Sequence, residues 1–300
     1  MGKVKRVREG KRRRCIFCGR LTGDPVDPRD PNSRKVRMSE EHLFRESWQG
    51  KLVTGDSPEF ERVFTQIEVD GSIRMSRPES LFEVVVKWVC GDCNSSWMNR
   101  LDDAVEPWIF NPYEDSLKPD PLKFRLWAIK VAVLRSYYDS PLLPQPEDIR
   151  AIYDREDIPE WHIFVGQMAV PNHTHTQVGF GPVDPVNGGR FDGIAQITWS
   201  LGRVMVTALR VVGASDRTIN YLNRFRQHNI SEGVVVTEVL PNAARFPSVA
   251  LLPKIAMRGY MSLAWYFSTH PLSPVAREML AIDADLRRAA KDRGFTPLRI

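Results

Sequence analysis

All four cysteines of the chain fall into two Cys-x-x-Cys pairs. The first pair is Cys15 and Cys18, and the second is Cys90 and Cys93. A tight turn brings two thiolates at this spacing to the same side, and two such pairs complete a tetrahedral four-cysteine zinc site. The 71 residues between the pairs, residues 19–89, are too many for a simple zinc ribbon. We therefore expect a zinc-held module with further structure inserted between its two halves.

Three other uses of these cysteines are open: two disulfides, a redox pair, or four unrelated core residues. Disulfides are disfavoured because the charged N-terminal residues have no apolar segment behind them, unlike a secretory signal. A redox motif needs one pair only. Structural zinc is thus the prediction. No apolar run approaches the roughly 18 residues of a membrane helix, so we expect a soluble, cytoplasmic protein with no membrane partner.

The residues around the second half of this module predict strands followed by a helix. The alternating residues 35–38 predict a strand that leads into the tetrapeptide Ser39-Glu40-Glu41-His42. Residues 60–69 and 72–77 flank Asp70-Gly71, which is typical of a β-hairpin. Residues 81–89 are apolar and β-branched, and they predict a buried strand that runs straight into Cys90. Residues 94–101 have a helical pattern.

This order of motifs resembles the zinc-stapled HNH endonucleases with a ββα-metal core, including those of bacteria and phages. The residues that carry the resemblance are CIFCG, SEEHLF and VCGDCNSSWM, and the match covers about residues 15–103. The resemblance implies an N-terminal ββα-metal, treble-clef-like zinc module. It also implies an endonuclease that hydrolyses phosphodiester bonds of DNA in the cytoplasm of a bacterial or phage-infected cell.

The resemblance also implies a role for each motif residue. Cys15, Cys18, Cys90 and Cys93 would hold a structural zinc ion. His42 would be the general base, which suits a neutral imidazole whose ordinary pKa is about 6.5. Glu41 and Asn94 would bind a catalytic Mg²⁺ or Mn²⁺ ion, since hard ions prefer oxygen ligands. Neighbouring strand residues point to opposite faces, so Glu41 and His42 share a site only where the strand ends or bends.

One departure from the family pattern keeps a second function open. The family has a further Asn between its His and its final ligand, whereas residues 43–93 contain no Asn. The alternative is a catalytically inactive zinc module that binds nucleic acid or a protein partner.

The positive charge of the chain is concentrated in residues 1–14, the basic arm. The chain has a formal net charge of +5, whereas the arm alone carries +7, which leaves −2 for the other residues. We expect the arm to contact DNA phosphates, with a solvated tail or a sorting signal as the alternatives. Its cations are Lys3, Lys5, Arg6, Arg8, Lys11, Arg12, Arg13 and Arg14.

The whole chain predicts an α+β fold in four parts. The basic arm is expected to be disordered, residues 15–106 form the zinc module, and residues 121–300 form a second domain. Residues 107–120 are a Pro-rich linker or, equally, an ordered loop packed on the core. In that domain we expect helices at 121–138, 146–156, 216–228 and 274–292, and strands at 161–170, 174–183, 194–212 and 234–240. These strands predict a mostly antiparallel sheet. The sequence leaves open whether this domain recognises DNA structure, a protein partner or a second copy of the chain.

Overall fold

The computed structural model describes residues 12–52, 64–67, 73–76, 81–139, 146–180, 183–184, 190–191, 193–213, 216–231, 234–264 and 266–267. These residues group into two compact units. Unit 1 lies within Met1–Pro107 and Leu122–Ile158, and unit 2 lies within Trp108–Pro121 and Pro159–Ile300. The prediction of a mixed α+β fold with antiparallel sheets is confirmed.

Unit 1 contains two small antiparallel sheets. One pairs β1 with β4, and the other is the hairpin of β2 and β3. The predicted hairpin is thus confirmed. The strand expected at residues 35–38 instead begins at Met38, so the Ser-Glu-Glu-His tetrapeptide itself lies in β1. The strands are β1 (Met38–His42), β2 (Phe64–Ile67), β3 (Ile73–Ser76) and β4 (Val85–Cys90).

The helices of unit 1 follow these strands directly. A 3₁₀ turn, Glu46–Trp48, leads from β1 into α1 (Gln49–Leu52). After β4 the chain is helical from Gly91 to Phe110, as α2 (Gly91–Cys93), a π-helical segment (Asn94–Met98) and α3 (Asn99–Phe110). The predicted helices after Asp120 are α4 (Pro121–Asp139) and α5 (Pro146–Asp154).

Helix α4 is the centre of the unit 1 core. Its residues from Phe124 to Ser136 are all buried, as expected for a helix that is apolar on most of its circumference. Trp127 packs at ring-centroid distances of 5.3 to 6.4 Å against three aromatic side chains, Phe44, Trp48 and Phe124. Burying such rings stabilises the unit by about 2 kcal/mol each, and this packing fixes the chain that follows β1.

The two units divide the chain differently from the sequence-based domains. The sequence predicts a linker at residues 107–120 and assigns all of residues 121–300 to a second domain. In the structure residues 107–110 are the last turn of α3, and the chain enters unit 2 and returns to unit 1 at Leu122. The reason is physical: the apolar α4 buries its surface against the aromatic side chains that follow β1.

Unit 2 is built on one long hairpin of 20-residue strands. Strand β5 (Trp161–Phe180) pairs antiparallel with β8 (Gly193–Val212), and the register shifts between Gln167 and Asn172. The sequence predicts two strands here, at 161–170 and 174–183. A single strand passes through Pro171 because this proline lies in the irregular part of the pairing, where a missing N–H is tolerated.

Shorter elements complete unit 2. Strand β9 (Thr237–Glu238) pairs antiparallel with β5, and β10 (Lys254–Ile255) pairs parallel with β5. The strand predicted at 234–240 is reduced to β9, and the helix predicted at 274–292 lies outside the described residues. The remaining elements are β6 (Val183–Asp184), β7 (Arg190–Phe191), α6 (Asp216–Ser231), β9 (Thr237–Glu238), β10 (Lys254–Ile255) and α7 (Met257–Ala264).

The core of unit 2 is apolar and rich in aromatic side chains. Phe225 of α6 contacts Phe164 of β5 at a centroid distance of 5.2 Å, and Tyr266 and Phe267 at 5.1 and 5.6 Å. Gly166 is required here, because an added Cβ would lie 2.8 Å from the side chain of Ile255. Among the described residues of both units, no helix combines the length and apolar character needed to span a membrane.

Candidate metal centre and active site

The four cysteines meet in unit 1. The first pair lies in a turn that is closed by two backbone hydrogen bonds, from Cys15 N–H to the Arg20 carbonyl (2.9 Å) and from Gly19 N–H to the Cys15 carbonyl (3.0 Å). Gly19 has a φ of +72°, a conformation that favours glycine. Cys90 ends β4 and Cys93 ends α2. The start and the end of the module are thus joined at one point, the four-cysteine cluster.

The geometry of the four-cysteine cluster matches a metal site. The four Sγ atoms lie within 4.8 Å of one another, with Cys15–Cys93 at 3.9 Å and Cys18–Cys90 at 3.6 Å. Sulfurs about 2.3 Å from a tetrahedral zinc ion are about 3.8 Å apart, whereas disulfide sulfurs are about 2.05 Å apart. All four cysteines are free thiols. The cluster could therefore hold a structural metal such as zinc, and the disulfide alternative is wrong.

Polar N–H groups donate hydrogen bonds to two of the four sulfurs. Arg20 donates from Nε to the Cys18 Sγ (3.4 Å), and the Cys90 N–H donates to the Cys15 Sγ (3.3 Å). The pKa of Cys18 lies far below its usual value because the thiol of Cys15 and then the other cluster thiols hydrogen-bond to it, whereas hydrogen bonds with Cys15 and Cys18 raise the pKa values of Cys90 and Cys93. Arg20 is itself held by Asp92 at 3.5 Å. Such outer partners orient metal ligands.

An irregular pairing of β1 with β4 determines which side chains face outward. Ser39 pairs with Val89 and Glu41 with Val86, so Glu40 alone lies opposite both Lys87 and Trp88. Strand β4 therefore carries a β-bulge of one extra residue, a feature that re-aims side chains. Both Lys87 and Trp88 are exposed, between the buried Val86 and Val89.

His42 is held in one tautomer at the end of β1. Its Nδ1 lies 2.8 Å from the carbonyl oxygen of Phe82. A carbonyl oxygen only accepts, so Nδ1 donates its proton and the neutral ring keeps a free lone pair on Nε2. The backbone fixes this geometry, because Leu43 N–H donates to the Val84 carbonyl (2.9 Å). A half-buried imidazole in this state is suited to accept a proton.

Glu41, the neighbour of His42, points into the core. It lies opposite Val86 and is 4% exposed, whereas His42 is half-buried. Burial raises the pKa of Glu41 to about 7 against the opposing charge of Lys130, and Asp102 adds to the rise. The carboxylate is thus present as a mixture of protonated and ionised forms near neutral pH.

A buried ion pair lies beside Glu41. The Lys130 ammonium donates to Asp102 Oδ1 at 2.7 Å, and the Trp127 indole N–H donates to the same oxygen at 3.0 Å. Arg45 Nε lies 3.8 Å from the other Asp102 oxygen. Lys130 and Asp102 were not expected from the sequence. The available signal is Lys130 itself, a lone cation within the apolar residues 126–134.

Asn94, the third predicted active-site residue, is not hydrogen-bonded to the other two in the described residues. It is half-buried and opens the π-helical segment that follows Cys93. In the part of the chain that the structure describes, no hydrogen bond joins its side chain to Glu41 or His42. Glu41 and His42 are neighbours on β1, but they pair in regular register with Val86 and Val85, so their side chains point to opposite faces of the strand. Asn94 lies next to Cys93 of the four-cysteine cluster. Short π-helical segments often occur at functional sites.

Only the last three cations of the basic arm lie in the described residues. Arg12 pairs with Asp24, and Arg14 donates to the Gly19 carbonyl at 2.7 Å, so both are bound to the loop of the first cysteine pair. Arg13 instead borders a groove beside β4. The other predicted DNA-contacting residues lie outside the described residues: Lys3, Lys5, Arg6, Arg8 and Lys11.

Comparison of the chain with protein-family models, with curated proteins and with solved structures finds no match. The residues and their geometry therefore carry the functional conclusion.

Proposed function

We propose that unit 1 is a metal-dependent endonuclease module of HNH type that hydrolyses phosphodiester bonds of DNA, with a structural zinc ion in the four-cysteine cluster. The observation that carries the proposal is the state of His42. Its Nδ1 proton is committed to the Phe82 carbonyl (2.8 Å), which leaves Nε2 free to take a proton from an attacking water. This base lies on a strand whose partner strand ends in a zinc ligand, Cys90.

The order of elements supports the same proposal. Two antiparallel strands, β1 and β4, are followed directly by a helical segment, which is the sequence of elements in a ββα core. The four cysteines join the loop before β1 to the junction between β4 and that helix. A module with a small core gains its rigidity from such a metal site, since zinc binding contributes directly to folding.

A catalytic Mg²⁺ or Mn²⁺ ion would be held by oxygen ligands, for which Glu41 and Asn94 are the candidates. Their donor atoms suit a hard ion, and such an ion would stabilise negative charge on the phosphate as the bond breaks. Binding a divalent ion requires the ionised carboxylate, and burial raises the pKa of Glu41 to about 7, so activity should rise with pH around 7.

The same burial favours a second candidate function, an inactive zinc module that binds nucleic acid or a protein partner. The Glu41 carboxylate already lies in the field of the Lys130 ammonium, a cation that competes with a divalent ion. The two candidates differ in one measurable property, which is metal-dependent cleavage.

The test is cleavage of supercoiled plasmid by the full chain with Mg²⁺ or Mn²⁺. His42→Ala should lower the nicking rate by about 10²- to 10⁴-fold, the usual contribution of a general base, while the zinc content stays unchanged. His162→Ala is the matched control, because the Nδ1 of His162 is also hydrogen-bonded, to Glu238 of unit 2. Equal rates for wild type and His42→Ala would disprove the assignment of His42 as general base. Absence of cleavage with every divalent ion would support the alternative, an inactive zinc module.

A further inference from the structure

The bulge in β4 places an aromatic side chain on the outer face of unit 1. Trp88 is 46% exposed, although an alternating strand would bury it on the side of Val86. The bulge instead directs Trp88 outward with Lys87, opposite Glu40. A tryptophan exposed to this degree loses the benefit of burial. Its position on a rigid strand makes its ring face available to a ligand.

A groove of about 320 Å³ lies around this tryptophan, and we call it the aromatic groove. It combines two cations, Arg13 and Lys87, with two aromatic rings, Trp88 and Tyr137. Lys87 also pairs with Glu40 at 2.8 Å, but both side chains are more than half exposed, and an exposed pair of this kind costs little to open. The lining residues are Arg13, Val85, Val86, Lys87, Trp88 and Tyr137.

One residue of the basic arm, Arg13, lines the aromatic groove. Ile16 N–H donates to the Trp88 carbonyl at 2.9 Å, which fixes the start of the first cysteine loop alongside β4. Arg13 lies three residues earlier and lines the groove. Its neighbours Arg12 and Arg14 are bound to Asp24 and to the Gly19 carbonyl, so among the described residues Arg13 is the cation of the arm that lies at Trp88.

The aromatic groove and His42 belong to the same strand pair. His42 lies opposite Val85, which also lines the groove. Trp88 is three residues further along β4, a distance of about 10 Å at the usual rise of a strand. A ligand that contacts Trp88 therefore extends easily to the imidazole.

We propose that the aromatic groove binds an unpaired nucleotide of single-stranded DNA, with its base stacked on Trp88 and the flanking phosphates on Arg13 and Lys87. Aromatic rings beside cations are the means by which proteins bind single strands, because every base has a π face and every linkage carries a negative charge. Duplex DNA offers only phosphates to this groove, since its base faces are already stacked. This inference deepens the nuclease function proposed above, and it makes unpaired DNA the substrate of that site.

The test is the affinity of the full-length, zinc-loaded protein for a fluorescently labelled 20-nucleotide DNA, measured by anisotropy without added divalent ions. The same sequence is measured as a single strand, as a duplex and as RNA. We expect the single-stranded DNA to bind more tightly than the duplex. Trp88→Ala should weaken this binding by about 5- to 100-fold, and Trp88→Phe should keep most of it. Lys87→Ala should lower the salt dependence by about one ion.

Tyr113→Ala is the matched control, because this aromatic side chain of unit 2 is 48% exposed, nearly the same as Trp88. It should leave the affinity unchanged. Zinc content and circular dichroism establish that each variant is folded. Equal affinity of Trp88→Ala and wild type, equal or tighter binding of the duplex, or tighter binding of RNA would overturn the proposal. Cleavage that depends on His42 but not on Trp88 overturns only the inference about the aromatic groove. Binding of single-stranded DNA through Trp88 without any cleavage overturns the proposed nuclease function and supports the inference about the groove.

Discussion

In unit 1 the carboxylate of Glu41 is buried beside the Lys130 ammonium and Asp102, whereas in unit 2 the carboxylate of Glu238 lies in a half-buried cluster with His162 and Arg226. The Glu238 carboxylate accepts from His162 Nδ1 at 2.7 Å and from Arg226 Nη2 at 2.9 Å. Although burial raises the pKa of Glu238, the hydrogen bond from His162 and the charge of Arg226 hold it below its usual value.

The difference separates a structural ion pair from a group with altered chemistry. Glu238 is ionised at neutral pH and satisfied by its neighbours, so it stabilises unit 2 in an ordinary way. Glu41 has a pKa of about 7 and directly adjoins His42. Groups with shifted pKa values concentrate at functional sites, and this one lies within the strand pair that the four-cysteine cluster joins. The carboxylate with the raised pKa therefore belongs to unit 1, which also contains the four-cysteine cluster.

The largest expected effect concerns the metal ion that the four-cysteine cluster of unit 1 could hold. Cys93→Ser should remove the zinc and unfold unit 1, because structural zinc contributes on the order of 10 kcal/mol to folding. Zinc analysis and limited proteolysis with mass spectrometry measure this: new cuts are expected within residues 12–52, while β5 and β8 stay protected. Ser95→Ala is the control and should retain zinc. Loss of zinc without new cuts in unit 1 would show that the metal does not stabilise the fold of unit 1.

The second effect tests the buried ion pair of unit 1. Asp102→Ala should destabilise unit 1 by about 3 to 5 kcal/mol, because it leaves the Lys130 ammonium, which is 1% exposed, without its main partner. Replacing both residues, as Asp102→Leu with Lys130→Met, should recover much of this loss. The change in the free energy of unfolding is measured by chemical denaturation, with hydrogen exchange of α4 peptides as the probe of unit 1.

The neighbouring carboxylate provides the control for this prediction. Asp103 pairs with the same Arg45 at 2.7 Å but is 58% exposed. Asp103→Ala should therefore cost no more than about 1 kcal/mol. Equal costs for the two aspartates would mean that burial of the pair is not what stabilises α4.

Local sequence patterns predict the parts of this site that depend on spacing alone. The two cysteine pairs predict the four-cysteine cluster, and the Asp70-Gly71 signal predicts the hairpin of β2 and β3. The bulge that exposes Trp88 depends on how many residues of β1 face β4, which the apolar run of residues 81–89 does not encode. The return of α4 to unit 1 depends on packing with distant aromatic residues. Pairing and packing between distant segments are thus what the sequence left undetermined.

The smallest expected effect compares the two carboxylates directly, through the pH dependence of local stability. Glu41 binds its proton more tightly in the folded state than when unfolded, since its pKa is raised from 4.5 to about 7. The contribution of protonated Glu41 to the free energy of unfolding of unit 1 is therefore fully present below about pH 4.5. It is lost as the pH rises to 7, which lowers that free energy by about 3 kcal/mol. The charged groups that face it are Lys130, Asp102, His42 and Arg45.

Glu41→Gln should remove the loss of stability that ionisation of Glu41 causes at high pH. In buffer without divalent ions, the variant should stabilise unit 1 relative to wild type at pH 8 by up to about 3 kcal/mol, and the advantage should vanish near pH 5. Glu238→Gln should do the opposite in unit 2: it destabilises at pH 7, and the difference disappears as the pH falls through the lowered pKa of Glu238. Hydrogen exchange of β4 and β5 peptides, compared with wild type at each pH, reports the two units separately. If both variants shift stability in the same direction at pH 8, ionisation of Glu41 does not destabilise unit 1, and the pKa of Glu41 is not raised by burial.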